Sequence, residues 1–264
     1  MGIEKLRTVW AELGERDPFQ AILTSGVQWD EEAFFQTGVD EIRAVIEYAR
    51  SFGAAMKNGK ALDFGCGVGR LTQALAAHFN AVEGVDISPS FLALAEKYNR
   101  CGGRCSYHLH AEADLRIFPD DAFDFVYSTI TLQHMEQKLS MKYIREFVRV
   151  LSPDGVAVFQ AAAEPVTMFH TAKKAAKAAM PRALVSLYRS LKYGPVFSKV
   201  EMHGIKKGLV EQVIRESGAR IVDVVRDDKA GPNWISLRYC VRKGLTDAED
   251  GRGSGGGCKG KVPL

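Results

Sequence analysis

The chain has no uninterrupted run of eighteen apolar residues, so its sequence offers no segment suited to cross a bilayer. Its opening stretch, MGIEKLRTVWAELGERDP, lacks the apolar core of a secretory leader, which makes a cytoplasmic location the expectation. Gly2 invites a myristoyl reading, but Leu6 stands where that signal takes Ser or Thr. Cysteines are few: Cys66, Cys101, Cys105, Cys240 and Cys258 are odd in number and irregularly spaced, which argues against a disulfide framework. The CGGRC stretch at 101–105 has no second cysteine pair to complete a zinc site, so no metal is expected. Charge of one sign is scarce too. A net +3 from 35 basic and 32 acidic residues is too weak to argue for nucleic acid as a partner. No internal repeat appears. With 46% apolar and 25% charged residues, the 264-residue chain has an ordinary globular composition. Its length suits one α/β domain with appendages better than two full domains.

What is present changes texture at Lys60. Before it lie helical patterns without strands: WDEEAFFQTG opens on Asp30, a natural N-cap, and Ile42, Val45, Ile46 and Ala49 share one face of the next stretch. From Lys60 short apolar runs alternate with helical segments, the signature of a doubly wound, Rossmann-like α/β sheet. Strands are expected at 61–64, 81–85, 106–110, 123–128, 156–160, 220–225 and 234–242. The stretch DDKAGPN between the last two is too short for a helical crossover, so the seventh strand is expected to be antiparallel. The rhythm breaks after Gln160, where TAKKAAKAAM and PRALVSLYRSLK read as two short helices, and resumes with a helix from Ile205 to Ser217. The expected organisation is an N-terminal helical lid (1–59), the main domain (60–243) with a helical cap inserted at 161–204, and a flexible glycine-rich tail (244–264).

The most informative stretch is LDFGCGVGRLTQALAAHF, Leu62 to Phe79. A strand, a glycine-rich turn and a helix build a nucleotide site, because free amides at the helix start face a ligand that can approach bare backbone. A dinucleotide loop needs glycine at its first, third and sixth positions. Counting from Gly65, the sixth is Arg70, and the third glycine falls at Gly69 instead. Asp63 precedes the turn and would repel a pyrophosphate but pair with an ammonium. Asp86 ends the next strand, where a carboxylate accepts from ribose hydroxyls. A ligand with a ribose, an ammonium and no phosphate fits, and S-adenosyl-L-methionine is such a ligand.

On LDFGCGVGRLT, VEGVDISPSFLALA, DLRIFPDDAFDFVYSTITLQHM and LSPDGVAVFQ, the sequence resembles the class I S-adenosylmethionine-dependent methyltransferases, in particular a small bacterial group with a generic methyltransferase domain. The resemblance covers about residues 60 to 160 closely and the last strands more loosely. It implies that Asp63 and the backbone around Gly65, Cys66 and Gly67 hold the methionine part, that Asp86 holds the ribose, and that Ile87 packs on the adenine. It also implies that Ser128 and Thr129 line the cofactor pocket through their backbone. Where the family usually places an Asp for the adenine amino group, this sequence has Ala111; Glu112 is one substitute, and Asp114 with a backbone amide is another.

Several residues carry two readings. His134 lies where the family brings sulfonium and acceptor together: it is either a base that takes a proton from the acceptor, or a packing residue beside a transfer that needs positioning alone. Gln133 reads as a polar group of the pocket, and His203 reaches the acceptor from the cap side or is structural. Cys66 reads as a small residue rather than a nucleophile, since methyl transfer needs no covalent enzyme intermediate. Arg70 meets an anion or is solvated. Trp29 and Phe35, with Phe34, are expected to cover the acceptor. Pro165 to Lys207 holds nine Lys or Arg and one Glu, which makes a basic cap that draws an anionic acceptor or surface, or only a solvated lysine face. No Asn-Pro-Pro-Tyr or Asp-Pro-Pro-Tyr stretch supports DNA-base methylation, and no cysteine pair supports RNA C5 chemistry. The expectation is methyl transfer to O or N of a small molecule. A macromolecular acceptor, RNA or lipid-linked, and a non-catalytic cofactor-binding protein stand as alternatives.

Overall fold

The computed structural model describes residues 2–23, 28–53, 56–166 and 200–244. Three helices come first: α1 (Ile3–Arg16), α2 (Pro18–Ile22) and α3 (Glu31–Arg50). Two starts follow from local chemistry. The Asp17 carboxylate accepts from the Gln20 N–H, and the Asp30 carboxylate accepts from the Ala33 N–H at 2.8 Å, so each satisfies an amide that a first helical turn leaves open. In α3, Ile42, Val45, Ile46 and Ala49 are all buried, as their spacing predicts.

Seven strands form one sheet: β1 (Lys60–Phe64), β2 (Ala81–Asp86), β3 (Cys105–Leu109), β4 (Phe123–Ser128), β5 (Leu151–Pro165), β6 (Ala219–Asp227) and β7 (Trp234–Lys243). Their order is β3-β2-β1-β4-β5-β7-β6. β1 to β5 run parallel, and β7 lies antiparallel between β5 and β6, as the short connection requires. The helices α4 (Arg70–Leu75), α5 (Pro89–Tyr98), α6 (Gln137–Val150) and α7 (Lys207–Glu216) cover the two faces. Neighbouring strand residues point to opposite layers. Leu62, Val126, Ala157 and Val241 pack under α6 and α7, while Ala61, Phe125, Val158 and Cys240 pack under α3 and α4.

Two expectations change. β5 continues to Pro165, because Gln160 to Pro165 keep pairing with Arg238 to Trp234 of β7, so the insertion starts later than residue 161. His203 does not open a helix; α7 begins at Lys207, after an extended segment. The two cap helices, their lysine face and the glycine-rich tail lie outside the described residues. Among the described residues no helix is long and apolar enough to cross a membrane.

The chain goes from β1 to β2 on one side and returns to β4 on the other. The crevice beyond the carboxyl ends of β1 and β4 is therefore the switch point at which open α/β sheets bind ligands.

Candidate active site

At that crevice the glycine turn folds back on β2: the N–H groups of Gly65 and Cys66 both donate to the Val85 carbonyl, at 2.8 and 3.1 Å. Gly65 and Gly67 have φ of +80° and +54°, backbone that side chains disfavour. A Cβ on Gly65 would strike Thr131, and one on Gly67 would lie 2.7 Å from Ile22 of α2. The bare turn thus admits neighbouring side chains as well as a ligand.

Three charged groups surround the turn. Asp86 accepts from the Gly67 N–H at 2.9 Å and from the Ser88 N–H at 2.8 Å, which fixes the carboxylate at the edge of the cleft. Burial pushes its pKa up, against those amide hydrogen bonds. Asp63 is 1% exposed; its Oδ2 accepts from the Thr72 hydroxyl at 2.7 Å, while its Oδ1 has no partner. Burial raises its pKa to about 7, despite the Thr72 hydrogen bond and the positive charge of Arg70. Arg70 is neither solvated nor an anion receptor. It is 2% exposed and donates to Glu41 at 3.1 Å and to Thr37 at 3.2 Å, both on α3. Glu41 also accepts from the Tyr127 hydroxyl at 2.9 Å and lies 3.2 Å from Lys229. Burial alone would raise the Glu41 pKa, but these partners outweigh it and hold it below its ordinary value.

A cleft of about 790 Å³, measured to its open mouth, runs along the turn. Gly65, Gly67, Asp86, Ile87 and His110 line it together with an apolar set, Ile3, Trp10 and Ile22 of α1 and α2 and Ile130, Met135 and Leu139. His134 lines it too, its ring edge-on to Trp10 at 5.1 Å.

The structure redistributes several expected site residues. Glu112 is exposed; its carbonyl accepts from the Tyr143 hydroxyl, and its side chain does not line the cleft. His110 does line it; its Nε2 lies 2.7 Å from the Asp114 carbonyl. The Ser128 hydroxyl donates to the Phe64 carbonyl at 3.0 Å and braces β4 on β1, while the cleft wall is formed by the next residues, Thr129 to Thr131. Cys66 is buried, its thiol pushed well up in pKa by burial, and it does not face the cleft. Trp29 and Phe35 do not line the cleft, because both belong to an aromatic cluster around Phe34 and Tyr98; Trp10 lines it instead. Gln133 is 4% exposed and bonds inward to Gln160 at 3.1 Å, behind the wall. His203 donates its backbone N–H to the Gln133 carbonyl at 2.7 Å and likewise stays out of the cleft.

His134 reaches the cleft but is ill suited to act as a base. Its Nδ1 lies 3.0 Å from the Glu201 carbonyl and its Nε2 lies 3.2 Å from the Gln133 amide, so both nitrogens are already engaged. Burial pulls its pKa down to about 4, with the Glu201 carbonyl opposing and His203 adding to the fall.

A family model described as a methyltransferase domain matches residues 62–159. The malonyl-[acyl-carrier protein] O-methyltransferase of Buchnera aphidicola is 32% identical over 180 residues, which cover 67% of this chain and 68% of that protein. The chain belongs to the class I S-adenosylmethionine-dependent methyltransferases. S-adenosylmethionine is the cofactor of this methyltransferase. The phosphoethanolamine N-methyltransferase 3 of Arabidopsis thaliana is 28% identical over 154 residues, but the chain spans only 31% of that protein's length. Among solved structures, the magnesium protoporphyrin IX methyltransferase of Synechocystis, with bound S-adenosylhomocysteine, shares the fold at a TM-score of 0.64. Its identity is 16%, over 92% of this chain and 99% of that one. The [4+2]-cyclase SpnF also shares the fold, at 0.61 with 14% identity over 93% and 98% of the two chains. The fold by itself therefore does not name the reaction.

The residues present fit the cofactor. Asp63 lies behind the cleft lining, its buried Oδ1 lacking a donor of the kind an ammonium provides, and the turn that follows it is glycine at 65 and 67, where a side chain would strike Thr131 or Ile22.

Proposed function

We propose that this methyltransferase moves a methyl group to an oxygen or nitrogen of a small acceptor with an uncharged, apolar body. The observation that carries the proposal is the lining of the cleft: Ile3, Leu6, Trp10, Ile22, Met135 and Leu139 give it an apolar wall, and no lysine or arginine among the described residues lines it. A phosphate or carboxylate placed there would lose its hydration with no cation in return among the described residues.

Asp63, through its unpartnered oxygen, would hold the ammonium, with the turn of Gly65, Cys66 and Gly67 beside it. Asp86 would accept from the ribose, and Ile87 and His110 would bound the adenine. When bound, the cofactor supplies an electrophilic methyl group on a sulfonium. The chain's own contribution is alignment and the exclusion of water by α1 and α2, which act as the lid. An acceptor nitrogen attacks with its own lone pair, and an acceptor hydroxyl arrives ionised.

Release of S-adenosylhomocysteine tests this reading, measured with a lipophilic phenol, a lipophilic amine and phosphoethanolamine under the same conditions. Turnover with an apolar acceptor and none with phosphoethanolamine is expected. Turnover of phosphoethanolamine alone would overturn the apolar reading.

A further inference from the structure

Ile130 lines the cleft with φ of +57°, a left-handed backbone that is strained for a β-branched residue. Something must hold it there. Its N–H donates to Gln160 Oε1 at 3.0 Å, and Gln160 is 2% exposed, deep on β5. A backbone N–H only donates, so the oxygen of Gln160 must face Ile130 and its amide nitrogen must face away. That nitrogen donates to Ser236 Oγ at 2.7 Å and to Gln133 Oε1 at 3.1 Å. Gln133 is thereby oriented too, and its own nitrogen points at His134 Nε2, 3.2 Å away. An amide nitrogen can only donate, so Nε2 must be the unprotonated nitrogen. The proton of His134 then lies on Nδ1, which donates to the Glu201 carbonyl at 3.0 Å.

Each donor direction in this series follows from the one before, starting at a peptide N–H and ending at a peptide carbonyl. We infer that Gln160 is a positioning residue for methyl transfer: through one directed series of hydrogen bonds it holds the strained Ile130 turn and fixes His134 as the neutral Nδ1–H tautomer with its Nε2 lone pair occupied. The inference rests on the reading of the cleft as the site of methyl transfer. Its consequence is that His134 shapes the cleft and takes no proton from the acceptor. The titratable groups around His134 are His203 and Glu201 of the segment that follows the insertion; Glu201 in turn pairs with Lys5 of α1 at 3.2 Å. Its remaining close partner, Trp10, is uncharged.

Nitrogen-15 NMR of the full chain, labelled at its histidines, tests this without an acceptor. His134→Asn identifies the signal. In the unmodified protein His134 is expected to be protonated at Nδ1 and bare at Nε2, and to stay neutral from pH 8 to pH 5.5. Gln160→Glu should reverse the series, because a carboxylate accepts from Ile130 but has no proton to give Gln133. The Gln133 amide then turns its nitrogen toward the introduced carboxylate and presents its oxygen to His134 Nε2, which demands a proton there. His134 then becomes a cation with a proton affinity about tenfold or more higher, read by carrying the same titration of both proteins down to pH 4. Gln133→Glu reaches the same end by a shorter route and serves if the first variant does not fold. A protein with His134 protonated at Nε2, or a folded variant whose His134 titrates as before, overturns the inference. Calorimetry with S-adenosylhomocysteine on the same samples reports on the cofactor site separately, so a cleft that binds no cofactor and a His134 with the other tautomer are distinct failures.

Discussion

Asp63 should make cofactor binding release a proton. In the ligand-free protein its pKa is raised to about 7, because burial disfavours the charge and Thr72 satisfies only one of the two oxygens. An ammonium beside Oδ1 favours the charged form and returns the pKa below the assay range. The sign follows: the carboxyl is protonated below pH 7, the cofactor needs it ionised, and binding tightens as pH rises through 7. With a ligand-free pKa of about 7, binding should release about 0.9 proton at pH 6, about 0.5 at pH 7 and about 0.1 at pH 8. Affinity should fall by nearly tenfold for each pH unit below about 6 and level off above about 8. Calorimetry with S-adenosylhomocysteine, which carries the same ammonium without the reactive methyl, measures this in buffers of differing ionisation enthalpy. Asp63→Asn is the control: it has no such proton to release and should bind about tenfold or more weakly. Proton release near zero at all three pH values, or equal release from the Asn variant, would refute the role assigned to Asp63.

The same raised pKa has a stability consequence of known sign. The contribution of Asp63 to folding is fully present below its unfolded pKa and is lost as pH rises through 7, a cost on the order of 4 kcal/mol by pH 8. Thermal unfolding of ligand-free Asp63→Asn should therefore show a higher Tm at pH 8, with the gain shrinking toward pH 5; an unchanged Tm at pH 8 counts against it. Asp86→Ala should weaken cofactor binding about tenfold or more, since a charge-assisted hydrogen bond is worth roughly 1.5–3 kcal/mol; unaltered affinity in calorimetry would remove Asp86 from the ribose. Glu41→Gln leaves Arg70 buried without its countercharge and should cost about 3–5 kcal/mol in denaturant unfolding. Asp40→Asn, which alters only exposed contacts with Arg43 and Gln36, should change little, and equal effects of the two would contradict the buried-cluster reading. Gly14→Val pushes a branched side chain into Ser90 of α5, lifting α1 from the cleft, and stopped-flow kinetics should show faster cofactor release.

The sheet was legible because its evidence is local. Strand runs, the glycine turn and the short link before β7 each act over a few residues, and the antiparallel seventh strand followed from loop length alone. The placement of Asp63 and Asp86 toward the ends of β1 and β2 was legible for the same reason. The apolar lining of the cleft was not. Trp10, Ile22 and Leu139 read in sequence as ordinary apolar helix positions, and nothing local separates a residue that lines a cleft from one that fills a core. Trp29 and Phe35 failed as cleft residues on that ground: their aromatic neighbours Phe34 and Tyr98 were closer than the ligand site. Arg70 was misread because its partner, Glu41, is far off in sequence, and a helix-start arginine beside an anion site invites an anion. His110 reads in sequence as a core or surface histidine of the third strand, whereas it follows β3 and lines the cleft, its backbone N–H donating to the Asp86 carbonyl at 3.0 Å.

The N-terminal helices do two different jobs, which their shared helical texture conceals. α3 is part of the foundation. Its Gly38 lets the backbone of Arg70 approach so closely that a Cβ there would lie 2.5 Å from the Arg70 carbonyl, and Glu41 and Thr37 hold the Arg70 side chain. Moving α3 would expose a buried ion pair and shift the helix that follows the glycine turn, so α3 cannot serve as a gate. α1 is attached differently. The Ser88 and Ser90 hydroxyls donate to the Trp10 and Ala11 carbonyls at 3.2 and 2.8 Å, and Lys5 meets Glu201 at the surface. Those polar contacts are each worth about 1 kcal/mol or less to break, and the rest of the attachment is apolar: Leu6, Val9 and Leu13 of α1 are buried, the last two in one cluster with Phe34 of α3 and Phe91 of α5. Ser88 also donates its N–H to Asp86, so one residue both orients that carboxylate and holds α1. If Asp86 holds the ribose as proposed, cofactor in place and α1 seated favour one another, because both draw on Ser88.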